Sequence, residues 1–453
     1  MMWRALSLAA MLAAAPAAGM AQSAADPSGD WMATIKAGAV SLRAALHLSD
    51  QASSFDSLDQ GALGLPAQMT RQGGHVVVTI DKVGVFEGDL SADGQALTGA
   101  LKQGPVATPM TFSRGVFSAA HRPQTPVGPF PYRSEEVGYD NPTHPNVHLA
   151  GTLTLPSGAG PFPAVLLITG SGSQDRDETI FEHKPFLVLA DALTRRGIAV
   201  LRVDDRGMGD STGGSRTDTT FDFATDVEAG VGWLARRPDI DPKRIGLIGH
   251  SEGGIIAPLV ASKDPGVAFI VMWAGPGVRG DAILAEQVRA IAAAAGAPPD
   301  VAKGASELQA RILAALIANR DPAAARAAMD KQLVAAHAPP TDDRTFAAMD
   351  APWYRTFLSY DPAPALRSLR IPVLALVGGK DTQVTAAQNI PALRAALASD
   401  PKAEVVELPG LNHLLQPAAT GAVDEYGKIE TTIDPGALKL MVDWVAGVTS
   451  GPG

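Results

Sequence analysis

The chain contains no cysteine, which excludes disulfides, a thiol nucleophile, a thiolate zinc site and a lipid-modified N-terminal cysteine. Aromatic residues are scarce too, at 5% of 453 positions, so any local cluster of them calls for a reason. Positive charge is in deficit: 37 Lys and Arg face 47 Asp and Glu, a net −10. Such a field repels phosphate backbones, and no nucleic-acid partner is expected. Beyond the first twenty or so residues, no run approaches the ~20 apolar residues that a spanning helix needs, so no stable membrane span is expected in the mature chain. What is present is ordinary for a globular protein. Hydrophobic residues make up 46% and charged residues 19%, which rules out disorder, and the length suggests one large or two smaller domains.

Met1-Met2-Trp3-Arg4 supplies one positive charge, Ala5 to Ala15 is apolar, and Pro16 breaks the run before Gly19-Met20-Ala21. This order has the build of a secretory signal peptide over residues 1–21, cleaved after Ala21. The alternative, a membrane anchor, needs a longer and more strongly apolar run. An exported protein, periplasmic or secreted, is expected, and the lack of cysteine suits a bacterial chain that folds without oxidation.

Residues 28–120 alternate, as in His75-Val76-Val77-Val78-Thr79-Ile80 and Gly84-Val85-Phe86-Glu87-Gly88, with turn signals at Gln72-Gly73-Gly74 and Ala92-Asp93-Gly94. Short strands at near-regular spacing predict a small antiparallel β domain, structural or substrate-gating. Residues 121–131 hold Pro123, Pro126, Pro129 and Pro131, an extended, stiff interdomain linker. From 132 to 449 the pattern becomes one of alternating strands and helices. Ala164–Ile168, Ile198–Val203, Ile245–Ile248, Ala268–Met272 and Pro372–Val377 are near-continuous apolar runs, suited to central parallel strands covered on both faces. Lys184–Arg196 and Phe221–Arg236 read as helices between them. The fold class is α/β, a doubly wound, mostly parallel sheet.

Roughly a hundred residues separate Met272 from Pro372, too many for a connection, and much of that stretch is Ala-rich. Residues 278–362 therefore form a helical insertion, a lid over the site or a structural annex. Ser306-Glu307-Leu308-Gln309 is a capping-box pattern that would open one helix, and Asp321-Pro322 would open another.

Two stretches fit Gly-x-Ser-x-Gly: Gly209-Asp210-Ser211-Thr212-Gly213 and Gly249-His250-Ser251-Glu252-Gly253. The pattern works only as a sharp strand-to-helix turn that exposes the serine hydroxyl. Ser211 sits in a glycine-rich loop. Ser251 follows Ile245–Ile248 directly and precedes an apolar helix opening, so it is the candidate nucleophile. A serine needs a base, and the base needs an orienting acid, each placed after a strand. Asp381 follows the strand Pro372–Val377, and His413 follows Glu404–Leu408 and is the only histidine after Asp381. Three residues in that order, each at a strand end, form the candidate triad.

These segments together resemble a known family. Thr169-Gly170-Ser171-Gly172-Ser173-Gln174-Asp175-Arg176-Asp177, Asp204-Asp205-Arg206-Gly207-Met208-Gly209, Gly249–Gly254, Gly378–Val384 and Gly410–Leu414 are similar to segments of α/β-hydrolase serine esterases. The nearest group is that of secreted bacterial esterases, serine aminopeptidase-like or dienelactone-hydrolase-like, with an N-terminal β domain. The likeness spans about Tyr132 to Val448. It implies hydrolysis of carboxylic esters, without metal or cofactor, on a small-molecule substrate; the preference for short to medium acyl chains is expected instead from the aromatic face described next. It also implies an oxyanion hole made by the backbone N–H of Glu252 and that of Ser171 or Gly172. Where the family usually has His before the first oxyanion glycine, this chain has Thr169. The Glu252 carboxylate is expected in the first helical turn, favoured by the dipole. Asp175, Arg176 and Asp177 would bind substrate or form a salt-bridged loop, and Arg206 would pair beside Asp204 and Asp205. The same triad also cleaves amides, and a non-catalytic binding protein on this fold is a third reading. Nothing in the sequence fixes the oligomeric state.

Trp353, Phe357 and Tyr360 recur at i, i+4 and i+7 near the end of the insertion and would share one face of a helix. That face either packs the insertion onto the core or lines an apolar acyl slot beside Ser251.

Overall fold

The computed structural model describes residues 26–37, 40–104 and 106–450; the expected signal peptide lies outside them. Eight strands form a closed antiparallel barrel: β1 (Gly29–Ala37), β2 (Val40–Leu48), β3 (Ser53–Ser57), β4 (Ala62–Gln72), β5 (His75–Ile80), β6 (Gly84–Leu90), β7 (Ala96–Gln103) and β8 (Val106–Arg114). Closure comes from β1 pairing with β8 at Trp31 and Arg114. Alternation explains the interior. On β5, Val76, Val78 and Ile80 are buried while Thr79 is exposed. Trp31, Leu46, Phe86, Leu97 and Phe112 fill the centre, with the Phe86 and Phe112 rings edge to face at 5.1 Å. An eight-stranded barrel is just wide enough for side chains to fill, and here they do.

The barrel rests on the loop 175–183 of the second unit. Phe181 N–H donates to the Asp59 carbonyl at 2.9 Å, and Arg43 bridges the Asp59 and Glu182 carboxylates. Gly61, at φ +68°, faces Thr179 so closely that a Cβ there would lie 2.7 Å from Thr179 Cβ. The proline-rich segment is also tied down. Arg122 donates to the carbonyls of Phe181, Gly427 and Ile429, while Gln124 donates to Ile433 and accepts from the N–H groups of Thr432 and Ile433.

The second unit is built on β9 (Arg133–Asp140), β10 (His148–Leu155), β11 (Phe162–Ile168), β12 (Ala199–Val203), β13 (Ile240–His250), β14 (Val267–Trp273), β15 (Val373–Gly378) and β16 (Ala403–Leu408). Their spatial order is β16-β15-β14-β13-β11-β12-β10-β9. From β12 to β16 every pairing is parallel; β9 and β10 add an antiparallel edge. Helices α1 (Pro185–Arg195), α2 (Thr220–Ala235) and α3 (Gly253–Ala261) follow β11, β12 and β13. The insertion after β14 holds α4 (Gly280–Ala294), α5 (Pro299–Ala318), α6 (Pro322–Ala335), α7 (Asp343–Met349), α8 (Pro352–Ser359) and α9 (Ala363–Ser368). Last come α10 (Ala386–Leu397) and α11 (Pro435–Thr449).

Both sheet faces are covered, which is why the central strands are apolar throughout. Val165, Leu167, Ile248 and Leu374 pack on α1 and α11; Leu166, Ile168, Leu247 and Ala375 pack on α2, α3 and α10. This is an α/β-hydrolase fold preceded by a β-barrel.

The insertion has a small core of its own around Ile312, Leu313, Leu316, Met329 and Leu358. The pattern Ser306–Gln309 does not open a helix there. Instead α5 begins at Pro299, whose ring pre-sets φ and whose missing N–H costs nothing at a first turn, and Ser306 lies inside it. Asp321 does cap α6, its carboxylate accepting the N–H of Ala324 at 2.8 Å.

Candidate active site

Strand β13 ends at His250 and α3 starts at Gly253, so Ser251 and Glu252 form the whole turn. Ser251 is held at φ +53°, with its N–H donating to the Trp273 carbonyl at 2.8 Å. A non-glycine residue in that region is strained and needs support from its surroundings. The support is close packing: a Cβ at Gly249 would run into the Gly253 carbonyl, and one at Gly253 into that of Ile168.

Asp381 lies just past β15 and His413 just past β16. His413 Nδ1 donates to Asp381 Oδ2 at 2.8 Å, and both side chains are buried. The other carboxylate oxygen accepts the N–H groups of Gln383 and Val384, each at 2.8 Å. With Nδ1 engaged, Nε2 of His413 is the nitrogen left to act as a base. The His413 ring lies 4.8 Å from that of His250, placing it against the turn that carries Ser251. No hydrogen bond joins Ser251 Oγ to His413 among the described residues; without substrate that contact is often long.

The N–H groups of Ser171, Gly172 and Glu252 are not engaged by any described residue, whereas Gly170 N–H is taken up by Glu178 Oε1 at 2.7 Å. The Glu252 carboxylate does not lie along the helix turn as expected. It is 2% exposed and accepts the Thr220 hydroxyl at 2.6 Å and the Trp353 indole N–H at 2.9 Å. Burial pushes its pKa up, against the pull of those hydrogen bonds.

A cavity of about 180 Å³ opens on Ser251, walled by Ile283 and Leu284 of α4, Trp353, Tyr354 and Phe357 of α8, and Val384. Trp353 and Phe357 stack there with ring centroids 5.7 Å apart. Tyr360 does not join them. The helix stops at Ser359, Tyr360 turns extended, and its ring packs edge to face on Phe221 at 5.7 Å beside a separate surface groove. The Asp361-Pro362 pair explains the stop, because the residue before proline avoids the helical region.

Ser211 is buried, its hydroxyl donating to the Asp204 carbonyl at 2.8 Å and accepting from Ala150 N–H at 2.9 Å. The loop after β11 is salt-bridged: Arg176 pairs with Asp204, and Arg202 with Asp177. Arg206 pairs with Asp226 and Asp218 rather than with its sequence neighbours. Asp205 accepts from the Thr169 hydroxyl and from Gln174 N–H, and burial pushes its pKa up to about 8. It lines a second cavity of about 310 Å³, bounded also by Arg206, Asp226, Glu252 and Trp353.

Two residues near the site escaped the sequence reading. Glu178 and His250 form a buried pair at 2.8 Å, 72 positions apart, with no spacing signal to link them.

A strained serine at a strand-to-helix turn, a buried Asp–His pair at two later strand ends and three backbone N–H groups not engaged by any described residue define a serine-hydrolase type of site on this fold. Residues 145–410 match the X-Pro dipeptidyl-peptidase (S15) family, and the chain belongs to that family. Esterase EstD of Thermotoga maritima is 29% identical over 269 residues, covering 59% of this chain and 58% of that protein. The chain thus matches little more than half the length of this relative. Among solved structures, the esterase PF2001 of Pyrococcus furiosus is 18% identical, covers 65% of this chain and 91% of its own, and has a TM-score of 0.42. The α/β hydrolase GrgF of a Penicillium species is 18% identical, covers 70% of this chain and all of its own, and has a TM-score of 0.44.

Proposed function

We propose that the protein is an exported serine hydrolase that cleaves carboxylic esters with short to medium acyl chains through an acyl-enzyme. The observation that carries this reading is the buried His413–Asp381 pair, whose second carboxylate oxygen is already occupied by two N–H groups. A carboxylate so held orients the ring. Ser251 Oγ attacks the ester carbonyl and passes its proton to His413 Nε2. Charge on the carbonyl oxygen is met by the N–H of Glu252 and that of Ser171 or Gly172. The alcohol leaves with the proton from His413, and water repeats the sequence to free the acid. The apolar cavity at Ser251, about 180 Å³, supports a small acyl group. The name of the Thermotoga maritima relative supports esters. Export rests on the pattern of residues 1–21, and a periplasmic or secreted location is proposed with it.

The family match favours a second reading, amide cleavage after an Xaa-Pro pair. Both readings are tested together by p-nitrophenyl esters of rising acyl length run beside Xaa-Pro p-nitroanilides. Ester turnover that falls with long chains and vanishes in Ser251→Ala supports the first reading. Anilide turnover exceeding ester turnover at equal concentration replaces it with the second.

A further inference from the structure

Glu178 and His250 take no part in the reaction just outlined, yet they touch three of its parts. Glu178 is 3% exposed and sits at φ +52°, left-handed for a non-glycine residue. Its Oε1 accepts both Gly170 N–H, at 2.7 Å, and His250 Nδ1, at 2.8 Å. His250 Nε2 lies 3.3 Å from the carbonyl oxygen of His413. A carboxylate only accepts, so His250 Nδ1 is the donor to it. Gly170 is wedged between these groups: a Cβ there would meet Glu178 Oε1 at 3.2 Å, Ser251 Cβ at 3.3 Å and His250 Nδ1 at 3.4 Å.

We propose that Glu178 and His250 are positioning residues: one buried carboxylate, held by Gly170 N–H and by His250 at once, fixes the oxyanion loop to the nucleophile turn. The charged or titratable groups facing His250 are Glu178 from the loop after β11, Asp381 from the loop after β15 and His413 from the loop after β16. From β14 it meets only the Trp273 ring, at 5.0 Å. Burial alone disfavours the charge on His250, but the Glu178 charge and hydrogen bond outweigh it and hold its pKa above the ordinary value.

The inference rests on the serine-hydrolase reading, and its test separates the two. Wild type is first titrated with a fluorophosphonate; a chain that neither labels nor turns over esters defeats the hydrolase reading. Glu178→Gln and His250→Asn are then compared per labelled site. Loss of loop placement lowers kcat by about tenfold or more with KM changed little, because the oxyanion contact is made in the transition state. A purely structural pair would reduce the number of labelled sites and leave kcat per labelled site at the wild-type value. Folded variants with wild-type kcat per site overturn the proposal. Should both variants fail to fold, the ¹⁵N spectrum of wild-type histidines at pH 8 decides it. A proton on Nδ1 of His250, donated to Glu178, is expected, and an Nδ1 without one overturns the proposal.

Discussion

The indole of Trp353, on α8 of the insertion, donates to the carboxylate of Glu252, the residue that follows Ser251, at 2.9 Å. The insertion and the nucleophile turn thus share a part-buried hydrogen bond, which fixes where the insertion sits over the site. Trp353→Phe keeps a ring and removes the donor, leaving Glu252 with the Thr220 and Ser171 hydroxyls. A loss of about 1–3 kcal/mol in unfolding free energy is expected, typical for a buried acceptor deprived of a partner. Urea denaturation measures it. A lower kcat from a less firmly seated insertion should accompany it, and unchanged values of both would mean that the bond does not anchor the insertion.

Removing the reacting groups should separate the two serine motifs. Ser251→Ala, Asp381→Asn and His413→Ala are each expected to lower kcat by several powers of ten. Ser211→Ala loses buried backbone bonds, about 1 kcal/mol of stability, and keeps its turnover. A dead Ser211→Ala beside an active Ser251→Ala would reverse the assignment.

Phe357 is buried and also faces the cavity at Ser251. Phe357→Ala should do two things at once: destabilise by about 3–5 kcal/mol and shift the preferred p-nitrophenyl ester toward longer acyl chains. Tyr360→Ala, acting at a different groove, should leave the chain-length ranking alone. If Phe357→Ala melts early and keeps the wild-type ranking, the aromatic pair is core and not pocket.

Asp205 predicts the shape of stability against pH. Its folded pKa is raised by burial from the ordinary 3.8 to about 8, so between those limits the folded chain holds a proton that the unfolded chain has lost. Its contribution is fully present below the unfolded pKa and is lost as pH rises toward about 8, by on the order of 1.4 kcal/mol per pH unit. Asp205→Asn can keep both contacts, accepting from Gln174 N–H and donating to the Thr169 hydroxyl. Its unfolding free energy should be flatter over that window, read by urea titrations at stepped pH; an equally steep curve would assign the slope to another group.

At the seam between the two units, Gly61→Ala places a Cβ 2.7 Å from Thr179 on a backbone at φ +68°. The backbone conformation alone costs roughly 1–2 kcal/mol for a side-chain-bearing residue. Both melting temperature and kcat are expected to fall, because Thr179 adjoins Glu178. A variant that melts earlier with kcat intact would show that the seam does not reach the site.

The central strands were legible because covering a sheet on both faces demands apolar runs without alternation. The edge strands were not: Arg133-Ser134-Glu135-Glu136 at the start of β9 is polar, as an edge exposed to water allows. Ser251, Asp381 and His413 could be read because each sits at the end of an apolar run, so sequence order stands in for spatial order. Glu178 and His250 could not, since their pairing depends on how two loops meet. Tyr360 shows the opposite failure, a helical spacing cut short by Asp361-Pro362 one residue further on. The Arg206 partners, Asp218 and Asp226, were hidden because charge adjacency in sequence says little about which carboxylate a folded loop presents.

Arg122 and Gln124 turn the proline-rich segment from a tether into a seam. Between them they occupy backbone groups of Phe181, Gly427, Ile429, Thr432 and Ile433, drawn from two widely separated loops of the catalytic unit. An enzyme cut down to start at Tyr132 would forfeit not a leash but a clasp, and those loops carry Glu178 on one side and lead into α11 on the other. Grafting the second unit onto a different N-terminal module would have to bring residues 116–132 along with it, which makes the strap a part of that unit and not of the barrel.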